Sequence, residues 1–123
     1  MKPAELMDYF EYSEFDSPDE PGSGEKMSDE FLRMLIMARK FAGVPFVINS
    51  GWRTEQHNID VGGKPNSSHK RGVAADIDAT TSGVRFKVIN GALKAGFRRI
   101  GVGNDFIHID SDPLKDQDVM WQY

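Results

Sequence analysis

The 123-residue chain predicts one small α+β domain, an antiparallel sheet with helices packed on it. Three observations carry that reading. Ser28 to Phe41 and Thr81 to Ala95 each repeat apolar residues at helical spacing. Val73 to Ala79 alternates with the period of a strand, and Arg99 to Val102 and Phe106 to Ile109 are short strand-like runs joined through the turn dipeptide Gly103-Asn104. Hydrophobic residues make up 39% of the chain, including eight Phe and two Trp, enough for one packed interior. The length leaves no room for a second module of ordinary size, so residues 1–123 are expected to form a single domain.

Residues 1–27 read as an N-terminal arm and acidic loop, and residues 28–123 as the core. Glu11 to Glu30 holds eight acids against Lys26 alone, with Pro18, Pro21, Gly22 and Gly24, and so reads as a solvated connection. Tyr9, Phe10, Tyr12 and Phe15 are expected to pin the arm to the domain by packing. Ser28 is the expected N-cap of the first long helix, with Asp29 and Glu30 where the helix dipole favours acids. Its apolar positions are Phe31, Leu32, Met34, Leu35, Ala38 and Phe41, up to Gly43, with Met34 and Met37 filling core gaps.

Pro45-Phe46-Val47-Ile48 reads as a short buried strand that delivers Ser50 to Arg53 at its end. Thr54 or Ser50 would cap a short helix through Asn58, stopped by Gly62-Gly63. In the strand from Val73 to Ala79, Ala75 and Ile77 share one face while Asp76 points from the other toward a groove. Thr81 or Ser82 caps a second long helix that covers one sheet face, with Val84, Val88, Ala92 and Leu93 apolar and Gly96 closing it. Val119 to Tyr123 adds a final strand or packs over the core, with Trp121 structural.

Several function classes are excluded. A formal net charge of −4 argues against a nucleic-acid partner. No apolar run approaches the roughly 20 residues of a membrane helix. Met1 to Phe10 carries Glu5 and Asp8 and lacks the basic and apolar regions of a secretory signal. A cytoplasmic, monomeric protein is the expectation, and the absence of Cys fits a reducing compartment. It also removes thiolate from any metal site, leaving His and carboxylate as the strong ligands.

His69, Asp76 and His108 meet the requirement of a catalytic zinc site for three protein ligands with a fourth position open. Asp105, three residues before the last of them, is the candidate base. His69 and Asp76 cannot share a helix, since seven residues of helix span about 10 Å and metal bonds are about 2 Å. A loop followed by a strand is required between them. In a regular strand Asp105 would face away from His108, so its role requires a bend at Asn104 or Asp105.

Two His and one Asp at such spacing are a weak signal by themselves. The residues between them add to it: Ser67-x-His69-x-x-Gly72-x-Ala74-x-Asp76 resembles the signature of the zinc D-Ala-D-Ala carboxypeptidase family, which includes phage L-alanyl-D-glutamate endolysins and vancomycin-resistance dipeptidases. Ser50-Gly51-Trp52-Arg53-Thr54, Val61-Gly62-Gly63 and Phe106-Ile107-His108-Ile109-Asp110 are similar to that family as well, so the likeness runs from about Phe46 to Ile109. The resemblance implies the fold shared with the hedgehog signalling domain and zinc-dependent hydrolysis of a bond in the peptidoglycan stem peptide. It further implies a substrate-binding and catalytic role for Arg53, as a guanidinium that holds a substrate carboxylate or polarises the scissile carbonyl. Phage or prophage wall lysis would then require a separate route to the wall, such as a holin lesion.

Each residue has a plainer reading beside this one. Ser67 either contacts substrate or only shapes the ligand loop, and Arg53 could be a surface ion pair. His57 reads as a surface or outer-sphere histidine. Asp110 either orients His108 or is a charged strand end, and Asp78 is equally open. The competing function is a zinc-bearing binding or virion structural module, since one fold can serve catalysis or recognition.

Overall fold

In the computed structural model, which describes residues 3–123, the elements in chain order are α1 (Leu6–Tyr9), α2 (Asp29–Ala42), β1 (Ile48–Ser50), α3 (Glu55–Asp60), β2 (Ala74–Asp78), α4 (Ser82–Lys94), β3 (Arg99–Val102), β4 (Phe106–Asp110) and β5 (Val119–Gln122). Short 3-10 turns occupy Tyr12–Phe15, Ser23–Lys26 and Ser68–Arg71. The class is α+β, as the sequence predicts.

The two long helices begin where side chains can satisfy their free N–H groups. Ser28 accepts from the Phe31 N–H at 3.2 Å and Thr81 from the Val84 N–H at 3.3 Å. Helix α2 stops at Gly43, whose φ of 71° suits a residue without Cβ. The two helices cross at Gly91, where an added Cβ would lie 2.4 Å from the Ala38 carbonyl oxygen and 2.8 Å from Ala42 Cβ. Only glycine permits that approach. Leu32, Leu35, Ile36, Val88 and Ala92 are buried there, whereas Met37, Phe41 and Leu93 are exposed. The buried stripe is thus narrower than helical spacing suggested, because each helix turns one face to the sheet and the other to solvent.

The sheet runs in the order β1-β2-β4-β3-β5. Its first three ladders are antiparallel, and β5 joins β3 in parallel. The expected strand at Pro45 to Ile48 is displaced to Ile48–Ser50. Pro45 has no N–H to donate, Val47 is exposed, and pairing with β2 begins at Ile48 with an irregular register. One sheet face carries Ala75, Ile77, Ile100, Ile107 and Ile109, all buried in the core with α2 and α4. The other carries Asp76, His108 and Gly101, which the register places side by side across three strands.

The acidic N-terminal segment is solvated only in part, with Glu11, Glu14, Asp19 and Glu25 exposed but Phe15, Ser17 and Ser23 buried. Phe15 is fully buried, its ring against Phe10 at 5.4 Å, and its carbonyl accepts from the Trp52 N–H at 2.8 Å. Gly51 leaves no room for a Cβ, which would lie 2.7 Å from Phe15 Cα. Asp16 and Asp19 are used locally: Asp16 accepts from the Gly22 and Gly24 N–H groups, and Asp19 from the hydroxyls of Ser17 and Thr54. The aromatic residues pin the arm as the sequence predicts, Phe10 and Phe15 being buried and Tyr9 and Tyr12 partly buried against the core. Among the described residues no helix is long and apolar enough to cross a membrane.

Candidate metal centre

The 3-10 turn at Ser68–Arg71 presents the first histidine. Ser67 starts the turn by accepting from the His69 N–H at 3.3 Å, and Gly72, at φ 72°, ends it and sends the chain into β2. Ser67 therefore shapes the ligand loop, and it also lines the cavity described below. The loop-then-strand requirement between His69 and Asp76 is met by this turn. Asp76 and His108 follow from register, since they are directly opposed on β2 and β4.

The three side chains converge. His69 Nε2 lies 3.3 Å from Asp76 Oδ1, and His108 Nδ1 lies 2.9 Å from the same oxygen. A ligand atom of each lies within 4.8 Å of the others, and all three residues are buried. Zinc bonds of about 2.0–2.1 Å at tetrahedral angles put neighbouring donor atoms about 3.3–3.4 Å apart, so this donor set fits that ion with little movement. The outward ring nitrogens are held as well. His69 Nδ1 is 2.9 Å from the Gly51 carbonyl oxygen, to which it donates when Nε2 is the metal donor, and His108 Nε2 is 2.7 Å from Asp110 Oδ2.

The electrostatics suit a cation site. Burial works against charge on Asp76, yet hydrogen bonds with His108 and His69 outweigh it and hold the carboxyl well below the ordinary range. Burial pushes the pKa of His69 down, with Asp76 opposing, which favours the neutral ring a metal requires. Burial also opposes charge on His108, but hydrogen bonds with Asp110 and Asp76 prevail and raise its pKa.

Around these residues lies a cavity of about 760 Å3, whose wall includes Arg53, Lys64, Ser67, Phe106, Trp121 and Tyr123. Arg53 is clamped in it. Its Nε donates to Ser50 Oγ at 3.1 Å, its Nη1 to Asn58 Oδ1 at 3.3 Å and its Nη2 to Asp76 Oδ2 at 3.4 Å. Asn58 also donates to the Lys64 carbonyl at 2.8 Å, tying the cavity rim to the same arginine.

Asp105 is placed differently. The chain does bend at Asn104 and Asp105, but Asp105 is exposed and is not part of the cavity wall. Its backbone carbonyl is the fixed group, accepting from the Ala79 N–H at 2.9 Å. Phe106 takes the wall position instead. His57 and Asp78 also lie outside the wall, whereas Asp110 is in it and bonded to His108.

Two contributors escape a reading of the sequence. Arg99 donates from Nε to Asp110 Oδ1 at 2.7 Å and lies 5.0 Å beneath the Trp121 ring. Trp121 is thus more than structural padding: its ring stands 5.5 Å from that of His108. The position of Trp121 depends on Gly101, where a Cβ would sit 2.8 Å from the Trp121 and Tyr123 rings. The alternation Val119, Trp121, Tyr123 carried the only signal, and it required knowledge of the parallel β3·β5 pairing.

Comparison with known proteins adds one positive finding. A family model described as Peptidase M15 matches residues 8–110. No curated protein matches the chain.

Proposed function

Because the chain belongs to the peptidase M15 family, whose members are zinc-dependent, we propose that it hydrolyses a peptide bond in the peptidoglycan stem peptide. The bond is either the terminal D-Ala-D-Ala linkage or L-Ala-D-Glu, and the setting we propose is phage or prophage wall lysis. The observation that carries the reading is the buried His69, Asp76 and His108 donor set opening onto a cavity beside a clamped arginine. Those three residues would hold zinc. When bound, zinc supplies Lewis acidity, which polarises a carbonyl and makes water a better nucleophile near neutral pH.

The chain's own groups do the rest. Arg53, fixed by Ser50 and Asn58, presents its remaining N–H groups to the scissile carbonyl oxygen or to a substrate carboxylate. Ser67 lines the approach and lends a hydroxyl to the substrate backbone. Phe106, Trp121 and Tyr123 wall off water on one side. Asp105 is proposed as the base on its chemistry and its place three residues before His108: its carboxylate makes no hydrogen bond or ion pair among the described residues. The resemblance, rather than the geometry, supports that assignment.

The position of Asp105 outside the cavity wall favours a second reading, a zinc-bearing binding or virion module, which needs no base. Muropeptide mass spectrometry separates the two. Zinc-loaded protein, a chelated control and Asp105→Ala are incubated with peptidoglycan, and new zinc-dependent products are expected, their masses giving the bond cut. No products from protein that still binds zinc would establish the binding module.

A further inference from the structure

Asp112 is fully buried and touches no proposed ligand, yet it joins the two segments that carry the histidines. On one side, its Oδ2 accepts from the Ser68 hydroxyl at 2.6 Å and from the Arg71 guanidinium, both in the turn that holds His69. On the other, its backbone N–H donates to Asp110 Oδ1 at 3.1 Å, and the second oxygen of Asp110 faces His108 Nε2. Its remaining oxygen accepts from the Leu114 N–H at 3.0 Å. The path from His69 to His108 thus runs through polar contacts made by Ser68, Asp112 and Asp110.

The charges along this path balance in pairs. Arg71 meets Asp112, and Arg99 meets Asp110. Arg99 Nε and the Asp112 N–H both take Asp110 Oδ1, which leaves Oδ2 aimed at the imidazole. A histidine ligand whose outer nitrogen is bonded to a carboxylate is fixed in tautomer and orientation. Here the carboxylate is itself fixed, and by a residue that also grips the other ligand's turn.

We propose that Asp112 is a positioning residue that sets the separation and orientation of His69 and His108 for metal, acting through Ser68 and Asp110. The inference rests on the metal centre proposed above. It implies that residues distant from the ion control its affinity jointly, because they share one buried carboxylate.

Zinc affinity measured by chelator competition tests it, alongside melting of the chelated protein. Asp112→Asn should weaken zinc about 10–100-fold, the range for partners of ligand residues. Ser68→Ala removes a single donor, keeps the protein folded and should weaken zinc about 3–10-fold. Ser68 and Asp110 each bond to Asp112 and not to each other, so a cycle of Ser68→Ala and Asp110→Asn should be non-additive, the double variant losing less than the product of the two factors. Wild-type zinc affinity in Ser68→Ala, or an additive cycle, overturns the inference even if melting temperatures fall. Failure of the unaltered chain to bind zinc would instead overturn the metal centre itself, and the inference with it.

Discussion

Asp76 and His108 stand directly opposite each other on β2 and β4, with carboxylate Oδ1 2.9 Å from ring Nδ1. A backbone ladder therefore sets the distance between two of the three proposed ligands, and a rotamer change in a loop does not alter it. Asp76→Ala should leave the sheet intact and reduce zinc affinity beyond the 10–100-fold typical of outer-sphere changes. Chelator competition with circular dichroism checks both. Retained affinity would remove Asp76 from the ligand set.

The pair of histidines makes the metal-free chain pH-sensitive in two directions. The raised pKa of His108 gives stability that is complete below its unfolded value of about 6.5 and lost as pH rises through the folded value. The lowered pKa of His69 gives stability complete above about 6.5 and lost as pH falls through its folded value. For these two groups stability should peak near pH 6.5, and in His108→Asn the alkaline decline should vanish. Melting temperatures of chelated protein across pH give the answer.

Gly101→Val should cost activity out of proportion to stability. Its Cβ would meet the rings of Trp121 and Tyr123 at 2.8 Å and push β5 off the cavity wall. Overpacking of this kind costs about 1–3 kcal/mol. Zinc affinity should change little, since Gly101 only neighbours His108 across the ladder, while product formation in the muropeptide assay collapses.

Gly91→Ala runs against helix propensity. Alanine is favoured over glycine in a helix by about 1 kcal/mol, yet here its methyl would lie 2.4 Å from the Ala38 carbonyl oxygen. Separation of α2 and α4 should make the substitution destabilising by about 1–3 kcal/mol. Urea unfolding measures it, and a stabilised variant would show that the crossing relaxes freely.

Asp105→Ala should bind zinc like the unaltered chain and lose about 100–10,000-fold in turnover, the usual contribution of a positioned base. Full activity would transfer the base role to another group in the wall.

Local signals in the sequence proved reliable wherever a single side chain decides the backbone. Ser28, Thr54 and Thr81 cap helices, Gly43 ends α2 with positive φ, and the alternation around Asp76 gives β2. The convergence of His69, Asp76 and His108 was legible for a similar reason, since spacing and flanking residues sit in one contiguous motif and one hairpin. What escaped depends on distant pairing. Arg99 becomes part of the site only once β3 lies beside β4 and beneath Trp121. The packing of Phe15 is legible in the sequence, but its backbone contact with Trp52, far along the chain, is not.

That last contact bears on how the protein can be divided. Phe15 supports Trp52, Ser17 accepts from the Thr54 N–H, and Gly51 holds His69. Any fusion or trimming site placed just before Ser28, where the long helix visibly starts, would cut away the prop behind the first histidine. A junction ahead of Leu6 keeps that prop, so an engineer choosing boundaries by helix position would remove part of the metal site's scaffold while leaving every ligand in place.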